Sequence, residues 1–147
     1  LAKRLGVDEH IHWLGERSDA IAICSAADIG VLSSHQEGFS NSVLEGMAAG
    51  VAMVVTDVGG NAEAVMDGVS GLVVPARDPA ALGQALLTLV NDERARQRMA
   101  QAGRQRVADN FSLTTCVNRY AGLYRALLSQ PDCNVQRALD ASQIQGH

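Results

Sequence analysis

Residues 29–63 read IGVLSSHQEGFSNSVLEGMAAGVAMVVTDVGGNAE, and this stretch decides the fold. Ile29–Ser33 and Ala52–Thr56 are short apolar runs with no polar face, the pattern of parallel strands buried on both sides. Between them, Ser42–Ala49 is a helix pattern that ends at Gly50, where a left-handed cap is wanted. Strand, helix, strand within some thirty residues is the crossover unit of a parallel sheet.

Working outward, the alternation continues. Upstream lie a strand pattern at Ile11–Leu14 and a helix pattern at Ala20–Ala26. Downstream come a helix at Ala62–Met66, a strand at Gly71–Val74, and helices at Ala80–Asn91, Asp92–Asn110 and Leu113–Ser129. Asp78-Pro79 supplies a cap and a proline at the first helical position, and Ser112 can cap the last helix. The expected architecture is α/β: a partial Rossmann-like parallel sheet of about four strands, flanked by helices, with a helical C-terminal third. Residues 129–147 have weak periodicity and are expected to fray.

Composition narrows the function classes. The chain has 147 residues, 47% hydrophobic and 19% charged, enough for one domain with a core. The net charge of -4 and the absence of a basic stripe argue against a nucleic-acid partner. The arginines at 94, 96, 98, 104 and 106 are interleaved with Asp92, Glu93 and Asp109, as on a solvated helix face. Cys24, Cys116 and Cys133 form neither a metal motif nor a disulfide framework, and Cys24 is expected to pack as a small apolar residue. His10 and His12 lack partners for a metal. No signal peptide or membrane span is evident, and a cytoplasmic location is expected.

Ligands of open parallel sheets bind beyond the carboxyl ends of the strands. Two such ends stand out. After Ser34 the chain runs through Glu37, Gly38, Phe39 and Ser40 into a helix beginning at Ser40, Asn41 or Ser42. A helix start preceded by glycine and small polar residues is an anion site. Glu45, one turn further in, is flanked by Val43, Leu44, Gly46 and Met47, and a carboxylate in that setting suits a sugar diol. A simpler alternative stays open: Ser42-Val43-Leu44-Glu45 also matches a capping box, in which Glu45 bonds the amide of Ser42. Glu37 can likewise be an ordinary loop carboxylate. After Thr56 comes the second loop, where Gly59-Gly60 can be a plain tight turn and Glu63 a first-turn partner of the helix dipole.

The segment from Ile29 to Glu63 resembles the signature of the retaining glycosyltransferases called group 1, or family 4. That family carries E-x7-E, matched by Glu37 and Glu45, and a G-G-x-x-E loop, matched by "GGNAE". "IHWLGERSD", "DGVSGLVVPARDPAAL" and "NFS" resemble its flanking landmarks, so the likeness runs from Leu1 to Leu128. The resemblance implies the glycosyltransferase-B fold, with residues 1–128 as part of its C-terminal nucleotide-sugar-binding domain. It implies that Glu45 holds the donor ribose hydroxyls and that Glu37 faces the donor sugar or its phosphate as the catalytic carboxylate. Gly38, Phe39 and Ser40 would approach sugar and diphosphate, and Asn41, Ser42 and Val43 would lie beside the phosphates and base. Ser34, Gly59, Gly60 and Glu63 are weaker candidates for the same site. No cofactor and no metal are implied, and the partner is a nucleotide-diphosphate sugar.

Gly46 departs from the alanine usual in the family, at up to ~1 kcal/mol of helix propensity. The resemblance also implies an N-terminal acceptor domain and two earlier strand-helix units that the sequence lacks, so the chain is expected to be a fragment. Any membrane contact would run through that acceptor domain. The missing strands would separate Ile11–Leu14 from Ile29–Ser33, and Ile11–Leu14 is expected to slide beside Ile29–Ser33 to restore hydrogen bonds. Val117, Tyr120, Leu123, Tyr124 and Leu127 recur at helical spacing and are expected to be exposed. Two other functions remain in view, a sugar-nucleotide epimerase of the same fold and a non-catalytic nucleotide-sugar-binding module. The E-x7-E spacing favours the transferase.

Overall fold

The computed structural model describes residues 1–129; the stretch 130–147, with most of the tail expected to fray and with Cys133, lies outside the described residues. The elements are α1 (Ala2–Leu5), a 3-10 turn (Asp8–His10), α2 (Ala20–Ser25), β1 (Ile29–Leu32), α3 (Asn41–Ala48), β2 (Ala52–Thr56), α4 (Asn61–Ala64), β3 (Gly71–Val74), α5 (Pro79–Asn91), α6 (Glu93–Asn110) and α7 (Leu113–Leu128). The sheet is parallel, in the order β1-β2-β3, with Ile29 opposite Ala52 and Met53 opposite Gly71.

All five residues of β2 are buried, and their alternation divides the core into two layers. Met53 and Val55 pack with Val43, Met47, Ala64 and Val65 under α3 and α4. Ala52 and Val54 pack with Val74 and Leu89 under α5. α6 serves both layers: Met99 and Ala100 reach the α5 side and Val107 the α3 side. Between them Gly103 lets α6 close in, since a Cβ there would stand 3.2 Å from the Ser70 carbonyl and 3.5 Å from Met47 Cγ.

The caps read from sequence are present. Asp78 accepts from the Ala81 amide ahead of Pro79, Ser112 accepts from the Thr115 amide, and Gly50 ends α3 at φ 80°. Gly46 has a packing cause: a Cβ there would lie 2.6 Å from Met53 Sδ, and Gly30 leaves room for the same sulfur from the strand side. The thioether fills a slot that two missing side chains create.

Two expectations are corrected. Ile11–Leu14 forms no strand, and the described sheet has three strands rather than about four. On the α5 side of β1, Ile29 packs into the core but Val31 is 46% exposed, so a strand added beyond β1 would leave part of that face in water. Ile11–Leu14 instead stays off the sheet, with Trp13 83% exposed. Cys24 is exposed rather than packed, on a short helix beside that uncovered edge. α7 does leave its apolar stripe uncovered: Val117, Tyr120, Leu123, Tyr124 and Leu127 are all exposed.

The Met53 slot yields a test. Gly46→Ala should change stability by less than about 1 kcal/mol in urea melts, because the cost of moving the flexible Met53 thioether offsets alanine's better helix propensity. In a Met53→Val background the same substitution should stabilise, and additive effects would refute the slot.

Candidate functional site

β1 and β2 run parallel and in register, so the loops that leave them emerge side by side. Thr56, buried at the end of β2, ties them: its hydroxyl donates to the Ser34 carbonyl at 2.7 Å. The Gly60 amide donates to the Gly38 carbonyl at 2.6 Å. Gly59 lies at φ 52°, and a Cβ on it would strike the carbonyl of Glu37. A Cβ on Gly60 would strike the ring of Phe39. The glycine pair is therefore a packing surface for the 37–39 loop, which an isolated tight turn does not require.

The expected site residues fall on these two loops and on α3. Ser34 donates to Glu37 Oε1 at 2.6 Å, which fixes the carboxylate in its loop. Gly38 has a negative φ or an extended backbone, and a Cβ on it would meet nothing within 4 Å. Nothing inside the protein requires a glycine there. Phe39 is exposed on one side and lies against Phe111 on another, ring centroids 5.5 Å apart.

The start of α3 differs from the capping-box alternative. The helix begins at Asn41 with Ser40 as N-cap, two residues before the Ser42 cap that a box with Glu45 needs. No side chain caps it, because the buried Ser40 hydroxyl turns to the Ser42 hydroxyl at 2.9 Å. The first-turn amides of Asn41, Ser42 and Val43 thus lack the acceptor that most helix starts provide. Glu45 sits two residues beyond the capping position and is exposed. Glu63, on α4, is exposed, and its carbonyl, not its carboxylate, makes the structural contact, accepting from Arg106 Nη2 at 2.7 Å.

Sequence reasoning missed three groups here. Thr56 reads as the last residue of a strand, and nothing in its neighbours announces its hydroxyl as a tie between loops. Asn61 is fully buried and donates through Nδ2 to the Thr56 carbonyl at 3.0 Å, while its Oδ1 meets no protein donor among the described residues. Arg77 takes φ 62°, a conformation usual for glycine, and lines a groove of about 580 Å³ with Ser33, His35, Thr56 and Pro75 along the ends of all three strands. Among the described residues no group of three or more His, Cys, Asp or Glu could hold a metal ion, and no helix is long and apolar enough to cross a membrane.

Parallel strands buried between helices, with paired loops and an uncapped helix start at their carboxyl ends, define a Rossmann-like α/β domain with its site at the switch between strand and helix. A model of the family glycosyl transferases group 1 matches residues 1–106, and the chain belongs to that family. It is 35% identical over 146 residues to the D-inositol 3-phosphate glycosyltransferase of Corynebacterium efficiens, covering 97% of this chain and 34% of that protein. The sucrose-phosphate synthase of Thermosynechococcus elongatus superposes with a TM-score of 0.79 at 27% identity, over 87% of this chain and 33% of the other. Anabaena HepE, solved in complex with UDP, matches with a TM-score of 0.81 at 24% identity, over 85% of this chain and 35% of the other, a likeness of fold. The chain spans about a third of the length of these relatives.

The two loops predict opposite tolerances. Gly59→Ala should destabilise by about 1–3 kcal/mol in denaturant melts, because it strains φ and drives a methyl into a backbone carbonyl. Gly38→Ala, with open space around it, should cost under about 0.5 kcal/mol.

Proposed function

We propose that this chain is the nucleotide-sugar-binding part of a glycosyltransferase that retains anomeric configuration, and that the donor lies across the start of α3. The observation that carries the reading is the uncapped first turn of α3, with Glu37 held just before it and Glu45 exposed one turn after it. Free amides at a helix start favour an anion, and a diphosphate supplies acceptors for several of them at once. Glu45 can accept hydrogen bonds from both hydroxyls of a ribose diol. The open space over Gly38 gives a ligand access to the backbone of the loop. The family to which the chain belongs supports the transferase reading over an epimerase.

The chemistry follows from where charge appears. As the bond between the anomeric carbon and the diphosphate oxygen breaks, negative charge grows on the diphosphate, and fixed N–H dipoles lower the energy of that state. Glu37, positioned by Ser34, faces the sugar side of the same loop and orients it or supports the positive charge developing at the anomeric carbon. The acceptor oxygen attacks on the face the diphosphate leaves, and its proton passes to the departing phosphate oxygen. No metal is required in this scheme, so binding should survive EDTA. An acceptor-binding domain beyond these 147 residues would provide the second substrate, and a cytoplasmic location fits a nucleotide-sugar donor.

Calorimetric titration of UDP-glucose and GDP-mannose into the purified chain tests the reading. One of the two donors should bind, and Glu45→Ala should weaken it by about tenfold or more, the worth of a lost charge-assisted hydrogen bond. In the gene product that carries this chain, Glu37→Gln should lower transfer about a hundredfold or more while donor affinity changes little. The chain alone should bind donor without transferring sugar. Equal affinity of wild type and Glu45→Ala, or an inverted product anomer by NMR, would overturn the assignment.

A further inference from the structure

The donor loop is held from a distance by the far end of α6. Arg106 donates through Nε to the Ala64 carbonyl at 2.8 Å and through Nη2 to the Glu63 carbonyl at 2.7 Å. These are the last two carbonyls of α4, which the helix itself leaves unpaired. The same guanidinium lies over the Phe111 ring, 5.7 Å from its centroid. Phe111 in turn meets Phe39, and Phe39 covers Gly60, one residue before α4 begins. The Gly60 amide then returns to the Gly38 carbonyl. The contacts close into a ring: Phe39, Gly60, α4, Arg106, Phe111 and Phe39 again.

We infer that Arg106 and Phe111 are positioning residues for the 37–40 loop, setting its order and hence the affinity of the site for a nucleoside diphosphate. Neither residue belongs to the carboxyl-edge loops, and both come from the helical third of the chain. The physical need is plain. Residues 33–40 form no regular ladder, and Phe39 is partly exposed, so the loop's own packing is thin. A loop that must present backbone amides to a ligand loses affinity in proportion to the time it spends elsewhere. Phe111 gives Phe39 one seat, and Arg106 holds both that seat and the α4 segment on which the loop rests. Each contact alone is modest, but a closed ring requires all of them to move together. The geometric ring stands on contacts within the protein; its consequence for ligand affinity rests on the donor-site reading proposed above.

The test combines a measurement without ligand and one with it, on the 147-residue chain. Amide hydrogen exchange would be followed at residues 37–40 and 59–64, with β2 as internal reference, in Phe111→Ala, Phe111→Tyr, Arg106→Gln and, as a control on the outer face of α6, Arg104→Gln. Phe111→Ala and Arg106→Gln should each speed exchange in both loops by about tenfold, the size expected from losing one aromatic or charge-assisted contact, while β2 stays protected. UDP, titrated by NMR, should bind these two variants about fivefold to tenfold more weakly. Phe111→Tyr, which keeps the ring, should restore both properties, and Arg104→Gln should change neither. Unchanged loop exchange, or exchange that rises equally in β2, would overturn the inference. If wild-type chain binds no UDP while loop exchange still responds to Phe111→Ala and Arg106→Gln, the brace stands and the donor reading falls. If UDP binds wild type and both variants equally while exchange responds, the brace orders the loop without governing the site, and the inference about affinity fails.

Discussion

Everything in this domain depends on the burial of Ala52–Thr56 on both faces. A strand with Met53 and Val55 on one side and Ala52 and Val54 on the other needs an apolar layer above and below it, and a paired strand on each edge. α3 with α4, and α5, supply the layers; β1 and β3 supply the edges. Because both neighbours are parallel to it, the strand ends that lead into loops all lie along one rim. The proximity of Ser34, Gly38 and Gly60 follows from that constraint, with Thr56 converting proximity into hydrogen bonds.

The same constraint explains which parts of the fold were legible in the sequence. Ala52–Thr56 and Gly71–Val74 are legible to the residue, since a nearly wholly apolar run closed by Asp57 or Pro75 admits few other structures. The starts of α5 and α7 were legible from Asp78-Pro79 and Ser112, whose side chains cap locally. Ile11–Leu14 has an equally strand-like local pattern, yet forms none. Strand formation there needs an edge covered on both faces, and the bare side of Val31 shows that β1 does not offer one. Local pattern cannot report whether a partner exists.

The candidate site was legible in its parts and not in its joints. Glu37, Gly38, Glu45 and the glycine pair could be picked out because their residue types are unusual beside a strand end. The capping-box alternative at Ser42 was resolved only by helix phase: starting at Asn41 places Glu45 beyond the turn that a box would occupy. The joints rest on contacts between residues distant in sequence, such as Thr56 with Ser34 and Arg106 with Glu63 and Ala64. Arg106 reads as one more charge on a solvated helix, yet it turns inward to the α4 carbonyls, as Arg96 turns to the Leu89 carbonyl. Gly46 looked like a cost in helix propensity, and its reason lies in Met53 across the layer.

The uncapped start of α3 is the point at which stability and the proposed function would diverge. Ser40 stands at the N-cap, the position its side chain could serve, yet its hydroxyl is engaged with Ser42 and the first-turn amides go without a side-chain acceptor. A serine used as a cap is worth about 1 kcal/mol, so a fold shaped by stability alone would use it. Leaving amides free at the rim, with a glycine beside them that no internal contact requires, makes sense when a ligand completes the hydrogen bonding. The helix end is then held in place by its surroundings rather than by its own cap. Val43 and Met47 anchor it to β2, α6 closes over it at Gly103, and Phe111 seats the loop that leads into it. In the proposed reading, these contacts from the core and from the C-terminal helices would keep the unpaired donors of the rim in a fixed array, as an anion-binding surface needs.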